Sequence, residues 1–154
     1  MKRISAAEYL DLTDPVKRYR AMAKGVQLLH DHKEYVATLC LIACYLDDMA
    51  TSSRHHTKKD YVAFLKQEFT ALCTELGGHV FYAKYRSGLV HGFSPEAGFA
   101  LAEDHETDSD YAGECEVEGR PGRLTALNVD RLAREFFALA ERKARAAKEQ
   151  QTTP

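Results

Sequence analysis

Tryptophan is absent from this chain, and so are a Cys-x-x-Cys pair, a His-Glu-x-x-His motif and any Glu-x-x-His step. The last three absences remove the usual ligand spacings of zinc and di-iron sites, so no metal is expected. Cys40, Cys44, Cys73 and Cys115 do not make a disulfide framework in an intracellular chain of 154 residues. Cys40 and Cys44 lie four apart in an apolar stretch and are expected to stack as small core residues. No apolar run reaches membrane-spanning length. Met1-Lys2-Arg3-Ile4-Ser5 is basic but lacks the apolar segment of a signal peptide, so a cytoplasmic chain with no membrane partner is expected. Nothing resembles a Gly-rich phosphate loop, and no cofactor is expected.

What is present is an ordinary globular mixture: 45% apolar residues, eight Tyr and seven Phe, too apolar for a disordered chain. The length suits one domain, taken as residues 1–148 with a tail at 149–154 that frays. His30 and His32 flank Asp31, and His55 adjoins His56; both pairs read as solvated histidines. The net charge of −2 argues against a generic nucleic-acid binder, but its distribution is uneven. Residues 103–118 hold eight acids and no Lys or Arg. Without them 15 acids face 21 basic residues, a balance of +6 that permits a positive surface on the helical part. The acidic stretch itself reads as a solvated loop, or as a cover for basic surface.

Asp14-Pro15 is a helix start, an N-cap acceptor followed by Pro at the first helical position. Val16, Tyr19, Met22, Val26 and Leu29 then mark one face to about His30, with Ser5–Leu12 a separate leading turn. A second helix over Lys33–Ala50 is apolar nearly all round and is expected to be central. After a polar loop, Thr57-Lys58-Lys59-Asp60 resembles a capping box, and Val62, Leu65, Phe69, Leu72, Cys73 and Leu76 form one long stripe that Gly77-Gly78 stops. A fourth helix runs from about His79 to Phe93 and ends at Ser94-Pro95. Short alternating runs at Gly98–Ala102, Cys115–Glu118 and Arg123–Leu127, with a turn at Gly119–Gly122, predict a small antiparallel β-ribbon inserted over 97–127. Asn128 caps a last helix. The fold class is mainly α: a bundle of four to five helices with a β-ribbon before the last.

One stretch of the fourth helix carries chemistry: Tyr85-Arg86-Ser87-Gly88-Leu89-Val90-His91. Arg86 brings a permanent charge and a planar fork of donors that matches phosphate oxygens. His91 brings an imidazole that exchanges a proton near neutral pH. Together they suit work at a phosphodiester. The same residues also fit a surface cation and a helix-terminal histidine near Gly92. Tyr82, four before Arg86, fits a core aromatic or a contact for Arg86 or a base. Asp47 and Asp48 end an apolar helix, where the macrodipole disfavours carboxylates, and one of them, taken as Asp48, is a candidate partner for Arg86. Positions five apart in a straight helix lie about 140° apart, so Arg86 and His91 converge only if the helix ends or distorts between them, at Gly88 or Gly92.

A helical bundle whose late helix reads Arg, four residues, then His resembles the HEPN superfamily (higher eukaryotes and prokaryotes nucleotide-binding), whose hallmark is Arg, four to six residues, His. Leu41–Asp48 and Tyr61–Phe69 look like bacterial members too, and the resemblance covers residues 15–95 and the final helix. Active relatives often place Asn, Asp or His directly after the Arg; this chain has Ser87, which can orient an oxygen but cannot titrate. The resemblance implies metal-independent RNA cleavage by a toxin or defence nuclease, with Arg86 and His91 catalytic and Ser87, Tyr82 and Asp48 supporting. The ribose 2′-OH attacks the adjacent phosphorus, leaving a 2′,3′-cyclic phosphate and a 5′-OH. The implied partners are RNA, a second copy of the chain and an antitoxin protein. Transesterification needs both an acid and a base, and a symmetric homodimer brings a second Arg–His pair to one cleft. The alternative is a non-catalytic HEPN-like module that binds nucleotide or RNA, or only dimerises.

Overall fold

The computed structural model describes residues 13–50, 57–92, 98–103, 111–116, 118–119 and 121–152, with backbone alone over 90–92. The Asp14 carboxylate accepts the Val16 and Lys17 backbone N–H groups at 2.9 and 3.4 Å and starts α1 (Pro15–Asp31). Lys33, with φ 58°, turns the chain into α2 (Tyr35–Ala50), which buries Leu39, Ile42, Ala43 and Leu46. It touches α1, the helix that follows it, the late helix that carries Arg86 and the last helix, the central position its apolar circumference predicts. The last helix, α7 (Val129–Thr152), lies along α1 and buries Leu132, Ala133, Phe136, Leu139 and Ala140 against the same core. His30 is half-buried rather than solvated: it stands 2.6 Å from Asp130 and ties α1 to α7. Cys44 is exposed rather than a core residue, because α2 turns that position outward.

The stripe from Val62 to Leu76 is two helices. In α3 (Lys58–Glu68), Thr57 and Asp60 complete the expected capping box. Phe69 leaves helical geometry while staying buried, and α4 (Thr70–Glu75) follows. Thr70 donates its hydroxyl to the Lys66 carbonyl at 3.2 Å, the back-bonding that bends helices. Gly77, with φ 89°, stops α4.

A three-stranded sheet precedes α7, and it is mixed rather than antiparallel. β1 (Phe99–Ala102) pairs parallel with β3 (Arg123–Asn128), and β2 (Ala112–Glu116) pairs antiparallel with β3 from its other side. The link 103–122 is long enough for the crossover that parallel strands require, and it carries β2 past β3 to the outer edge. β3 therefore takes the middle, with Ala126, Leu127 and Asn128 buried. Asn128 ends that strand and caps α7, its side-chain oxygen accepting the Arg131 N–H at 2.9 Å. α7 runs to Thr152 rather than fraying at 149, since Ala144 and Ala147 extend its buried stripe and the Thr152 hydroxyl caps carbonyls of the last turn. No helix of the described residues is long and apolar enough to cross a membrane. The leading turn at Ser5–Leu12, the loop with His55 and His56, the end of the motif helix at Phe93–Pro95 and half of the acidic stretch lie outside the described residues.

Candidate functional site

The motif sits on one continuous helical path in three parts: α5 (Gly78–Val80), a π turn (Phe81–Arg86) and α6 (Ser87–Gly92). Gly78 lets the path start close against α3, for a Cβ there would stand 3.1 Å from the Cys73 sulfur and 3.3 Å from Val62. In the π turn the Ser87 N–H bonds back five residues to the Tyr82 carbonyl. One side of the turn faces inward. Phe81 and Tyr85 are fully buried and stacked, and the Tyr85 hydroxyl donates toward the Thr125 and Ala100 carbonyls at 2.8 and 3.3 Å. Burial, with a smaller contribution from Cys115, pushes the Tyr85 hydroxyl well above its ordinary pKa, so it stays a donor. The sheet thereby fixes the rotation of the helix.

The other side of the turn carries Tyr82 and Arg86. Arg86 donates Nε to Asp47 Oδ2 at 3.0 Å and a terminal nitrogen, Nη2, to the same oxygen. Its charged carbon lies 5.1 Å from the centre of the Tyr82 ring. Tyr82 in turn meets Tyr61 edge to face at 5.3 Å, and Lys58 approaches the Tyr82 ring at 5.6 Å. Burial alone would lower the Arg86 pKa. The hydrogen bond and charge of Asp47, with Tyr82 and Tyr61, outweigh it and raise the value, so the cation is permanent. Nε and Nη2 both turn to Asp47, which leaves Nη1 on the far side of the guanidinium, and the Arg86 side chain is 20% exposed.

Asp47, not Asp48, therefore holds Arg86. Asp48 points to α1 and stands 3.8 Å from Arg18 on a more exposed surface. Consecutive helical positions differ by 100°, and the π turn aims Arg86 at the first of the two. Ser87, half-buried, follows at the return to α geometry. The backbone of His91 lies in α6, five positions after Arg86, and its side chain is outside the described atoms. The helical distortion falls before Arg86 rather than between it and His91. The two positions therefore remain about 140° apart around one helix.

Tyr61, Lys58 and Asp47 complete the cluster. Tyr61 is 1% exposed and its hydroxyl has no hydrogen-bond partner among the described residues; burial first, then Asp47, raises its pKa well above the ordinary value. Partial desolvation of its sulfur raises the Cys44 thiol even though the residue is exposed, helped by Cys40 and Asp47 and opposed by Arg86, so Cys44 offers no thiolate nucleophile near neutral pH. The arrangement is chemically simple: an oriented guanidinium with donors to spare, on an aromatic platform shared with a lysine. It can bind and polarise a phosphate. No family model, curated protein or solved structure matches this chain.

Proposed function

We propose that this protein is a metal-independent endoribonuclease of the toxin or defence type, HEPN-like in its helical part, that acts as a homodimer on RNA and is restrained by an antitoxin. One observation supports this reading above the others: Asp47 and Tyr82 hold Arg86 through Nε, Nη2 and the guanidinium face, which leaves the Nη1 donors outside the ion pair for a phosphate oxygen. In the reaction His91 takes the 2′-OH proton, and the 2′-oxygen bonds to phosphorus. The bond to the 5′-oxygen breaks, and that oxygen receives a proton. Arg86 neutralises the nonbridging oxygens as their charge grows, and Ser87 orients one of them. Because Arg86 and His91 diverge around one helix, the reading needs a two-fold cleft in which the second copy supplies the missing partner and the acid.

The substrate tests the reading. An oligoribonucleotide cut in EDTA is expected to yield a 2′,3′-cyclic phosphate and a 5′-OH, and a single 2′-deoxy substitution at the cut site abolishes that cut. Cleavage that persists at the deoxy position rejects the mechanism. A second reading, a non-catalytic binding module, draws support from the same ion pair, since Asp47 offsets much of the charge of Arg86. Binding without cleavage by the pure protein would select it.

A further inference from the structure

A second cationic surface adjoins the Arg86 cluster. Lys58, Lys59, Lys66 and His79 surround an apolar floor of Val62 and Ala63 in a groove of about 510 Å³ along α3 and the start of the motif helix. Among the described residues, four nitrogen-bearing side chains line it and no carboxylate does. The acids of α3 are engaged elsewhere. Asp60 closes the capping box with Thr57, and Glu68 takes Arg142 at 2.7 Å and Lys143 at 3.1 Å. Among the described residues no ion pair occupies Lys58, Lys59 or Lys66. The groove meets the Arg86 cluster through one ring, for Lys58 and Arg86 lie 5.6 and 5.1 Å from the centre of Tyr82.

We propose that this groove is a phosphodiester track that binds single-stranded RNA beside Arg86. Phosphates sit on Lys58, Lys59 and Lys66, the apolar floor takes a sugar or base face, and the next phosphate reaches Arg86. A regular anionic strand satisfies cations strung along one helix face, which a single small anion cannot. The choice of RNA as the strand rests on the nuclease reading above; the recognition of phosphates rests on the groove alone.

The test is a fluorescence-anisotropy titration of a short labelled single-stranded RNA over a series of salt concentrations. It uses the Arg86→Ala/His91→Ala protein, which leaves the RNA intact, with and without Lys59→Gln/Lys66→Gln. Both lysines are exposed, so the fold tolerates their loss, and circular dichroism verifies it. Neutralising two phosphate contacts should lower the slope of log K against log salt by about 1.4, and should weaken binding roughly tenfold or more at about 0.1 M salt. Single-stranded DNA of the same sequence should lose affinity in parallel, since the track reads phosphates. Unchanged affinity and slope would overturn the track. The two proposals fail separately: cleavage with lysine-independent binding keeps the nuclease and removes the track, and lysine-dependent binding by a wild type that never cleaves does the reverse.

Discussion

At the scale of single residues, Asp47 and Asp48 are chemically identical neighbours with different work. Asp47 and Arg86 are 17% and 20% exposed and share two hydrogen bonds, so removing the carboxylate strands a shielded cation. Asp47→Ala should cost about 1.5–3 kcal/mol of stability, the range for a charged hydrogen-bonded pair. Asp48 stands 3.8 Å from Arg18, with the two side chains 47% and 37% exposed. Asp48→Ala should cost less than about 1 kcal/mol. Urea denaturation reads both, and equal midpoint shifts would contradict the assignment. Sequence brought the choice down to these two carboxylates, and helical spacing took it no further. The selection depends on how far the π turn has rotated Arg86, and that rotation is set by Tyr85 reaching carbonyls fifteen and forty residues away. Lys59, Lys66 and His79 are separate nitrogen-bearing residues in the sequence, and only the docking of α5 on α3 makes them one surface.

At the scale of elements, the contact that seats the motif helix is between Gly78 and α3. A methyl group at position 78 would stand 3.1 Å from the Cys73 sulfur and 3.3 Å from Val62, both on helices built into the core. Position 78 is also the first of its helix, where the propensity gain of Ala over Gly is small. Overpacking therefore wins, and Gly78→Ala should lose about 1–3 kcal/mol, read as a lower urea midpoint. A gain in stability would show that α3 and α4 yield freely there. The helices themselves were readable from side-chain periodicity, because Asp14, Thr57 and Asn128 cap where a cap is needed and the apolar stripes of α3 and α7 face one core. Two features were not. The bend at Phe69 lies inside an unbroken stripe, and strand alternation says nothing about which neighbour a strand takes, so the parallel pairing of β1 with β3 has no local signature.

At the scale of the whole molecule, three tyrosines join different elements and share one consequence. Tyr61, Tyr85 and Tyr111 all have raised hydroxyl pKa values, first by burial. In the unfolded chain each ionises near pH 10. Above that pH the unfolded state releases protons that the folded state keeps, so unfolding is favoured by up to about 1.4 kcal/mol per pH unit for each tyrosine. Their contribution is fully present below about pH 10 and is lost as the pH rises through the folded values. Thermal midpoints should be insensitive to these groups up to about pH 9 and should fall steeply by about pH 11; a flat profile would contradict the burial. The central claim is that Arg86 and His91 together cut RNA without a metal. The measurement that tests it most directly is the rate of RNA cleavage in excess EDTA by wild type and by Arg86→Ala/His91→Ala, purified side by side. The account predicts robust cleavage by wild type and a loss of at least about 10²–10⁴-fold in the double variant, the usual worth of a positioned proton-transfer group. Equal rates, or no cleavage by either, would contradict it.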